Sequence, residues 1–457
     1  MSFSTTDTIV AIATPPGRGG IGVVRLSGPD AGAIAARLIT HRGPLEPRHA
    51  TFTRITHGDH ASARSSTGAA AIDQAVAIFF PAPHSYTGED VVELSAHGSP
   101  IVLRSVVDSA IAAGARLAEP GEFTLRAFLG GKMDLTQAEA VADLIDAVTP
   151  LQARAAFDQL DGTLTRAVTD LDARLFDLIA RLEASVDFPD EGYHFIAPGD
   201  VAHAITALCD TTASLLADAR RGRLIREGLQ VAIAGAPNVG KSSLFNALAG
   251  ASRAIVADSA GTTRDLVTEV IDFDGLRMTL VDTAGIRESG DAVEAEGVAR
   301  SLQAQAVADL VLHVVAEESP SAGESAAVCN AAKFFVVQNK IDKTTHRHGD
   351  ARVHVSAKTG EGLETLRLEI VRALSGDDHV PRDRPAITNV RHAALMQQAH
   401  DALVRARDAA CREHGALPEE FLLADLQVAR GALEEIAGRR ASEDLIEHIF
   451  ARFCVGK

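Results

Sequence analysis

Three changes of pattern along this 457-residue chain predict a multidomain protein: an α+β N-terminal domain, an all-α helical domain, and an α/β P-loop domain inserted between the helices. Up to about Arg116, strand-like runs alternate with Gly/Pro punctuation: Thr8 to Thr14, Ile21 to Leu26, Ala75 to Phe80 and Val91 to Leu94. A helical pattern from Ile101 to Ala113 sits among them, hence α+β. Asp59 to Ala70, rich in Ser and Ala, reads as a loop. From about Leu135 the period turns helical. Leu160, Leu164, Leu171, Leu175, Leu178 and Leu182 recur at helical intervals, and Val201, Ile205, Leu208 and Leu215 continue them. The third change is GAPNVGKSS, Gly235 to Ser243. It follows the apolar run Gln230 to Ala234 and precedes the helically spaced Leu244 to Leu248. After a linker from Asp377 to Pro385, helical spacing resumes through Leu395, Leu403, Leu422, Leu426, Leu433 and Ile449. The expected domains are 1–130, 131–227 (first helical part), 228–378 (P-loop domain) and 379–457 (second helical part). The helices before and after the insertion would pack together, since globular insertions are tolerated in surface connections.

Strand, Gly-rich loop and helix in that order are what phosphate binding needs. Gly235 and Gly240 allow tight backbone turns, so successive N–H groups around Asn238, Val239 and Gly240 and the helix N-terminus can point at phosphate oxygens. Lys241 supplies a point charge for the β- and γ-phosphates; Ser242, followed by Ser243, offers a hydroxyl to Mg²⁺. The competing reading is a glycine turn that merely precedes a helix.

Three further segments select the nucleotide. Asp282-Thr283-Ala284-Gly285 follows the strand-like Arg277 to Val281. Its Asp can hold Mg²⁺ through water, and Gly285 can offer its N–H to a γ-phosphate. Asn339-Lys340-Ile341-Asp342 follows the run Lys333 to Val337. The Asp342 carboxylate would accept from the guanine N1–H and exocyclic amine, a donor pair that adenine lacks; such a site discriminates by about 10⁴ or more. Ser356-Ala357-Lys358, behind Val353 to Val355, would bring a backbone N–H to the guanine oxygen. Each tetrapeptide alone reads as a turn or cap; in this order, each behind a strand, they indicate GTP. In the loop Asp258 to Asp265, Thr263 is the expected second hydroxyl on Mg²⁺, available only when a γ-phosphate is bound.

One hydrolytic residue is missing. Ras-like enzymes orient the attacking water with a Gln just after the DxxG glycine, and here that place holds Ile286. The candidates to replace it are Glu294 and a bound cation near Asn238; an acidic residue at a helix start is also a common dipole partner.

Composition narrows the class. Net charge −17 argues against non-specific nucleic-acid binding, which needs dense Lys/Arg, while basic patches such as Arg220 to Arg223 and Arg439-Arg440 leave a partner RNA open. With no Trp and two Tyr, broad aromatic stacking platforms are not expected. No apolar stretch is long enough to cross a membrane, and Met1 to Ile9 lacks a signal-peptide pattern. Cys209, Cys329, Cys411 and Cys454 show neither disulfide nor zinc spacing. A cytoplasmic protein is expected.

Several stretches together resemble the MnmE (TrmE) tRNA-modification GTPase family along essentially the whole chain. They are Ala13 to Gly20, Tyr86-Thr87-Gly88-Glu89-Asp90, Pro120 to Thr124, Arg126-Ala127-Phe128, Lys132 to Ala140, the P-loop motifs, and the terminal Phe453-Cys454-Val455-Gly456-Lys457. Departures are Gly130-Gly131 where Asn-Asp is frequent, Val455 where Ile is usual, and the side chains of Ala257 and Ser259.

The resemblance implies a homodimer whose N-terminal folds bind 5-formyl- or methylene-tetrahydrofolate, contacted by Arg25, Glu93, Lys132 and Lys457. Lys132 and Arg25 can pair with folate carboxylates, and Glu93 can accept from the pterin edge. It implies an FAD-containing partner, MnmG (GidA), in a heterotetramer that adds a carboxymethylaminomethyl or aminomethyl group to C5 of the wobble uridine of certain tRNAs. It also implies K⁺ near the β- and γ-phosphates, held by the side chains of Asn238 and Thr262 and the carbonyls of Ala257 and Ser259, when two GTPase domains meet. In that family Glu294 matches the water-positioning glutamate. Cys454 keeps two readings, nucleophile in the modification chemistry or packing. Two other functions stay open: a GTP switch in RNA or ribosome assembly without modification chemistry, and a folate-dependent aminomethyltransferase regulated by GTP.

Overall fold

The structure is a computed structural model that describes residues 6–57, 71–187, 197–251, 253–254, 267–273, 275–282, 308–316, 334–344, 351–375, 387–411 and 419–456. These fall into two units, Met1–Ala142 with Glu434–Lys457, and Asp143–Leu433.

In the first unit, β1 (Ile9–Ile12), β2 (Gly19–Ser27), β3 (Thr51–Thr56), β4 (Ala71–Phe80), β5 (Val91–Gly98) and β6 (Arg116–Leu117) form a six-stranded sheet of order β3-β4-β5-β2-β1-β6. All pairs are antiparallel except β1 with β6. Alternation decides its faces. Val24, Leu26, Ile55, Ala75, Ala77, Val92 and Leu94 point into one core with α1 (Ala31–Leu38) and α2 (Pro100–Ala112). Neither α1 nor β3 stands out as an apolar run: β3 reads Thr-Phe-Thr-Arg-Ile-Thr, and α1 has only eight residues.

A second apolar cluster joins α3 (Glu122–Leu129), the start of α4 (Leu135–Asp146) and the last helix of the chain, α12 (Glu443–Phe450), through Leu125, Leu135, Ala138, Phe450 and Phe453. The Phe450 and Phe453 rings stand 5.2 Å apart. Val455 and Gly456 are docked on the first unit: Val455 bridges Pro120, and a Cβ on Gly456 would lie 2.2 Å from the Ile12 oxygen.

In the second unit, α5 (Pro150–Leu160), α6 (Thr163–Asp187) and α7 (Pro198–Glu227) precede the P-loop region; α10 (Val390–Ala410) and α11 (Glu419–Ile436) follow it. Thr149 and Gln152 close a capping box at the start of α5. The leucine stripe is core: Leu164, Leu171, Leu175, Leu178 and Leu182 are all buried, whereas Leu160 is half-buried. Helices from both sides of the insertion touch. Thr212 on α7 shares a 2.8 Å hydrogen bond with His400 on α10, and Arg430 on α11 donates to Asp172 on α6 at 3.1 Å.

The inserted region is a seven-stranded sheet among the described residues, of order β13-β12-β11-β7-β10-β9-β8. Its strands are β7 (Leu229–Gly235), β8 (Arg253–Ala254), β9 (Val267–Phe273), β10 (Leu276–Asp282), β11 (Leu310–Val315), β12 (Phe334–Gln338) and β13 (Val353–His354). It is parallel from β13 to β10, with β9 and β8 antiparallel. Leu244 and Leu248 of α8 (Lys241–Ala251), and Leu366 and Ile370 of α9 (Leu363–Ser375), fill the core beside Val231, Ile233, Leu280 and Leu312. The carboxyl ends of parallel strands are where such sheets bind ligands, and all the described nucleotide motifs stand there.

Candidate functional site

The loop between β7 and α8 can be built only with glycine at its two turning points. Gly235 has φ 140° and Gly240 φ 94°. A Cβ on Gly235 would fall 2.3 Å from the Val314 oxygen, and one on Gly240 2.4 Å from Asn339 Nδ2. Between them Asn238 is also left-handed, at φ 63°. Lys241 Nζ donates to the carbonyls of Gly235 (2.9 Å) and Ala236 (2.8 Å), so its ammonium is folded under the loop. Burial pushes the Lys241 pKa below the ordinary lysine value, against the opposing pull of the Asp282 charge. Ser242 Oγ donates to Asp282 Oδ2 at 2.8 Å. A hydroxyl next to a carboxylate at a strand end is the hard oxygen set that suits Mg²⁺.

Asn339 joins the segments that sequence separates. Its side chain is buried. Nδ2 donates to the carbonyls of Val239 (3.1 Å) and Gly240 (3.3 Å), while Oδ1 accepts from the N–H groups of Lys340 (2.8 Å) and Ala357 (3.0 Å). Lys340, at φ 63°, reaches back to the Asn238 carbonyl. Ser356 is buried and donates from Oγ to Asp342 Oδ1 at 2.7 Å. That hydrogen bond holds the exposed Asp342 carboxyl below its ordinary pKa. Asp342 is thus kept charged and aimed by a neighbour, as a base-reading carboxylate must be. Ser243 and Lys358 are exposed at the rim.

In the first unit Arg25 and Glu93 face each other across β2 and β5. Arg25 donates to Glu93 Oε1 from Nε at 2.9 Å and pairs with it from the terminal nitrogen at 2.8 Å; their side chains are 15% and 25% exposed. The guanidinium carbon lies 5.2 Å from the Tyr86 ring centre and 5.7 Å from that of Phe123. Tyr86 shares a 2.9 Å hydrogen bond with Thr124 on α3. Lys132 stands beside that loop rather than on the pair: its Nζ donates to the Pro83 carbonyl at 3.0 Å, and its stem packs next to Gly88. The Cys454 thiol is exposed, and its backbone oxygen accepts from Gly121 N–H.

Comparison with known proteins decides the family. The "MnmE helical domain" model matches residues 135–454, and the "GTP-binding protein TrmE N-terminus" model matches residues 8–132. A "tRNA modification GTPase MnmE" of Koribacter versatilis (strain Ellin345) is 43% identical over 464 residues, 99% of each chain. One of the same name from Azoarcus sp. (strain BH72) is 43% identical over 99% of this chain and 98% of its own. The chain belongs to the MnmE family.

The solved G domain of the T. maritima FeoB iron transporter is 31% identical over 32% of this chain and 97% of that chain, with a TM-score of 0.24. Of the site residues expected from the sequence and from the resemblance, Ala257, Ser259, Thr262, Thr263, Thr283, Ala284, Gly285, Glu294 and Lys457 lie outside the described residues. No helix among the described residues is long and apolar enough to cross a membrane.

Sequence reasoning assigned no role to a buried charge network that backs the MnmE N-terminal motifs. Arg126, on α3, is 3% exposed. It donates to Asp7 Oδ1 (2.7 Å), Glu122 Oε1 (3.0 Å) and Glu89 (3.2 Å to each oxygen). Arg116 clamps Glu122 at 2.6 Å and Asp7 at 2.6 Å, which raises the Arg116 pKa, with Glu122 the larger influence. Ser27 Oγ donates to Glu89 Oε2 at 2.7 Å. Burial would raise the Asp7 pKa, but hydrogen bonds from Arg116 and Arg126 outweigh it and hold the carboxyl below its ordinary value. The available signal was Glu122 and Arg126, four apart, charged in a helix whose neighbours Phe123, Thr124, Leu125 and Ala127 are all buried.

Proposed function

We propose that this chain is a GTP-hydrolysing tRNA-modification enzyme in which a phosphate-loop domain drives one-carbon chemistry at the N-terminal fold. The single observation that carries the nucleotide half is Asn339, whose hydrogen bonds tie the phosphate loop to the two base-reading segments. Lys241 and the N–H groups of Asn238 to Ser243 hold the phosphates. Ser242 and Thr263 hold Mg²⁺, with Asp282 behind Ser242; when bound, the metal offsets charge on the phosphate oxygens. Asp342, set by Ser356, reads guanine, and Ala357 presents an N–H to its oxygen. Glu294 orients the attacking water in place of the missing glutamine. Asn238, Thr262 and the carbonyls of Ala257 and Ser259 would hold K⁺ as two GTPase domains meet, and the ion would supply the charge that an arginine finger supplies elsewhere.

The Arg25–Glu93 pair fits a reduced folate: a half-buried carboxylate can accept from a pterin edge, and the guanidinium, set beside two aromatic rings, offers donors to acidic groups. Lys132 and Lys457 add positive charge for the folate glutamate tail. Tetrahydrofolate, in its 5-formyl or methylene form, would bring the one-carbon unit, and the FAD-containing MnmG would be the partner in a cytoplasmic heterotetramer. The exposed Cys454, with its backbone oxygen held by Gly121 N–H, would serve as a nucleophile or as a packing or positioning residue.

The test is GTP hydrolysis by the purified protein in KCl and in NaCl at equal ionic strength, with Asn238→Ala beside it. Strong K⁺-specific stimulation, lost in the variant, is expected. Equal slow turnover in both salts would favour a plain GTP switch in RNA assembly that awaits an external activator.

A further inference from the structure

The six-stranded sheet has one face covered by α1 and α2 and one that is not covered by them, and the second is unusual in charge. In a chain of net charge −17, the stretch from Thr40 to His57 contains Arg42, Arg48 and Arg54, three histidines, and a single acidic residue, Glu46. All three arginines are exposed. Elsewhere in this unit Arg25, Arg116 and Arg126 are locked to carboxylates. These three form no ion pair among the described residues, and the Arg48 guanidinium meets only the His84 carbonyl, at 2.9 Å.

The fold gathers them. Ile39 bridges Ile55, Thr40 N–H donates to the Arg54 carbonyl at 2.9 Å, and His41 N–H to Thr53 Oγ1 at 3.1 Å. The segment after α1 therefore lies along β3, and continuing that register by two residues sets Arg42 across from Phe52. Thr53 and Ile55 are buried, so Phe52 and Arg54 project from the other face, where Phe52 is 68% exposed. Arg48 N–H donates to the Phe79 carbonyl, at the same end of the sheet.

That face leads to the one-carbon site. Phe52 registers with Val76, and Val76 with Ser95; one row along, Ile78 registers with Glu93, and Glu93 with Arg25. Phe52 and the Arg25–Glu93 pair thus occupy the same side of one sheet, with Glu93 two strands and Arg25 three strands away, or about 10–14 Å across the strands. Free guanidiniums bind phosphates, and an exposed ring between them offers a stacking surface that any base can use. An acidic protein partner would use the arginines but give Phe52 no comparable role.

Building on the tRNA-modification reading above, we propose that this open face, from Arg42, Arg48, Phe52 and Arg54 to the Arg25–Glu93 pair, seats a single-stranded loop of the tRNA substrate. The arginines take backbone phosphates and Phe52 stacks on a base. A neighbouring uridine is thereby delivered to the one-carbon carrier.

The test is binding of a fluorescent anticodon stem-loop with uridine at the wobble position to the full-length protein, titrated at several KCl concentrations. Affinity of the unaltered protein should fall steeply with salt. Arg42→Glu with Arg54→Glu should weaken binding about tenfold or more and flatten the salt dependence, and Phe52→Ala should weaken it about fivefold or more. Arg104→Glu, on α2 of the covered face, should stay within about twofold. Thermal midpoints check folding, and Arg42→Gln with Arg54→Gln replaces the reversal if that variant unfolds. Binding by the double variant within about twofold of the unaltered protein, or equal competition by polyglutamate, would overturn the proposal. An unaltered protein that binds no tRNA, alone or with its FAD-containing partner, would instead sink the underlying reading.

Discussion

The two sites of this chain are assembled in opposite ways. The phosphate site gathers short peptides from consecutive strand ends, each carrying its chemistry in three or four adjacent residues. Ser242 meets Asp282 and Asp342 meets Ser356 because parallel strands deliver their carboxyl ends to one edge. The N-terminal site is a product of register and distant packing. Arg25 and Glu93 are 68 residues apart, Asp7 and Arg126 are 119 apart, and the chain end closes on Pro120. The first kind of site is a property of loops on a scaffold; the second is a property of the scaffold itself. Substitutions should therefore separate activity from stability in one and merge them in the other.

The largest effect is expected in the N-terminal unit. Arg126→Met removes the cation shared by Asp7, Glu89 and Glu122 and leaves buried Glu122 short of charge. A loss of about 3–5 kcal/mol is expected in denaturant unfolding. A loss under about 1 kcal/mol would mean that water reaches the network. In the phosphate site, Lys241→Ala should leave unfolding nearly unchanged while lowering GTP turnover by about 10²-fold or more, as removal of a preorganised charge does. Steady-state hydrolysis beside a melting curve reads both.

Gly235→Ala breaks the separation deliberately, because its new Cβ meets the Val314 backbone oxygen at a positive φ. It should cost about 1–3 kcal/mol of stability and reduce nucleotide binding together, in contrast to Lys241→Ala. Ser356→Ala should act more gently. Asp342 loses the hydrogen bond that aims it, and guanine affinity should fall about tenfold, with discrimination against ATP reduced, in a competition assay.

The smallest effect concerns pH. The folded pKa of Asp7 is depressed, so its contribution to stability is complete above the ordinary aspartate range of about 4 and is lost as pH falls through the lower folded value. Acid melting curves of Asp7→Asn should fall less steeply than those of the unaltered chain; parallel curves would show that Asp7 is not held by its arginines.

This contrast also explains what could be read in advance. The P-loop, Asp282, Asn339-Lys340-Ile341-Asp342 and Ser356-Ala357-Lys358 stand at strand ends, because an apolar run followed by Gly or Asp is a local signal. The leucine stripe of α6 was equally legible, since helical period needs no partner to be seen. The Arg25–Glu93 pair was not, except by resemblance to MnmE: in an isolated strand each is an ordinary charge, and only β2–β5 register makes them neighbours. The Arg126 network left only the Glu122–Arg126 spacing as a signal, for the same reason. Its carboxylates come from the start of the chain, a loop and the same helix, and nothing in composition marks Asp7 as their companion. The docked tail was also beyond local reading, because Val455 and Gly456 gain their meaning only against Pro120 and Ile12.

The central claim is that both sites serve one reaction, so the decisive measurement is the wobble-uridine modification itself. Nucleosides from the tRNA of cells that lack the gene, complemented with the unaltered chain, Lys241→Ala or Glu93→Gln, can be quantified by mass spectrometry. The expected result is modification restored by the unaltered chain and lost with either variant, while purified Glu93→Gln still hydrolyses GTP and purified Lys241→Ala still binds folate. Normal modification with either variant, at matched protein level, would contradict it.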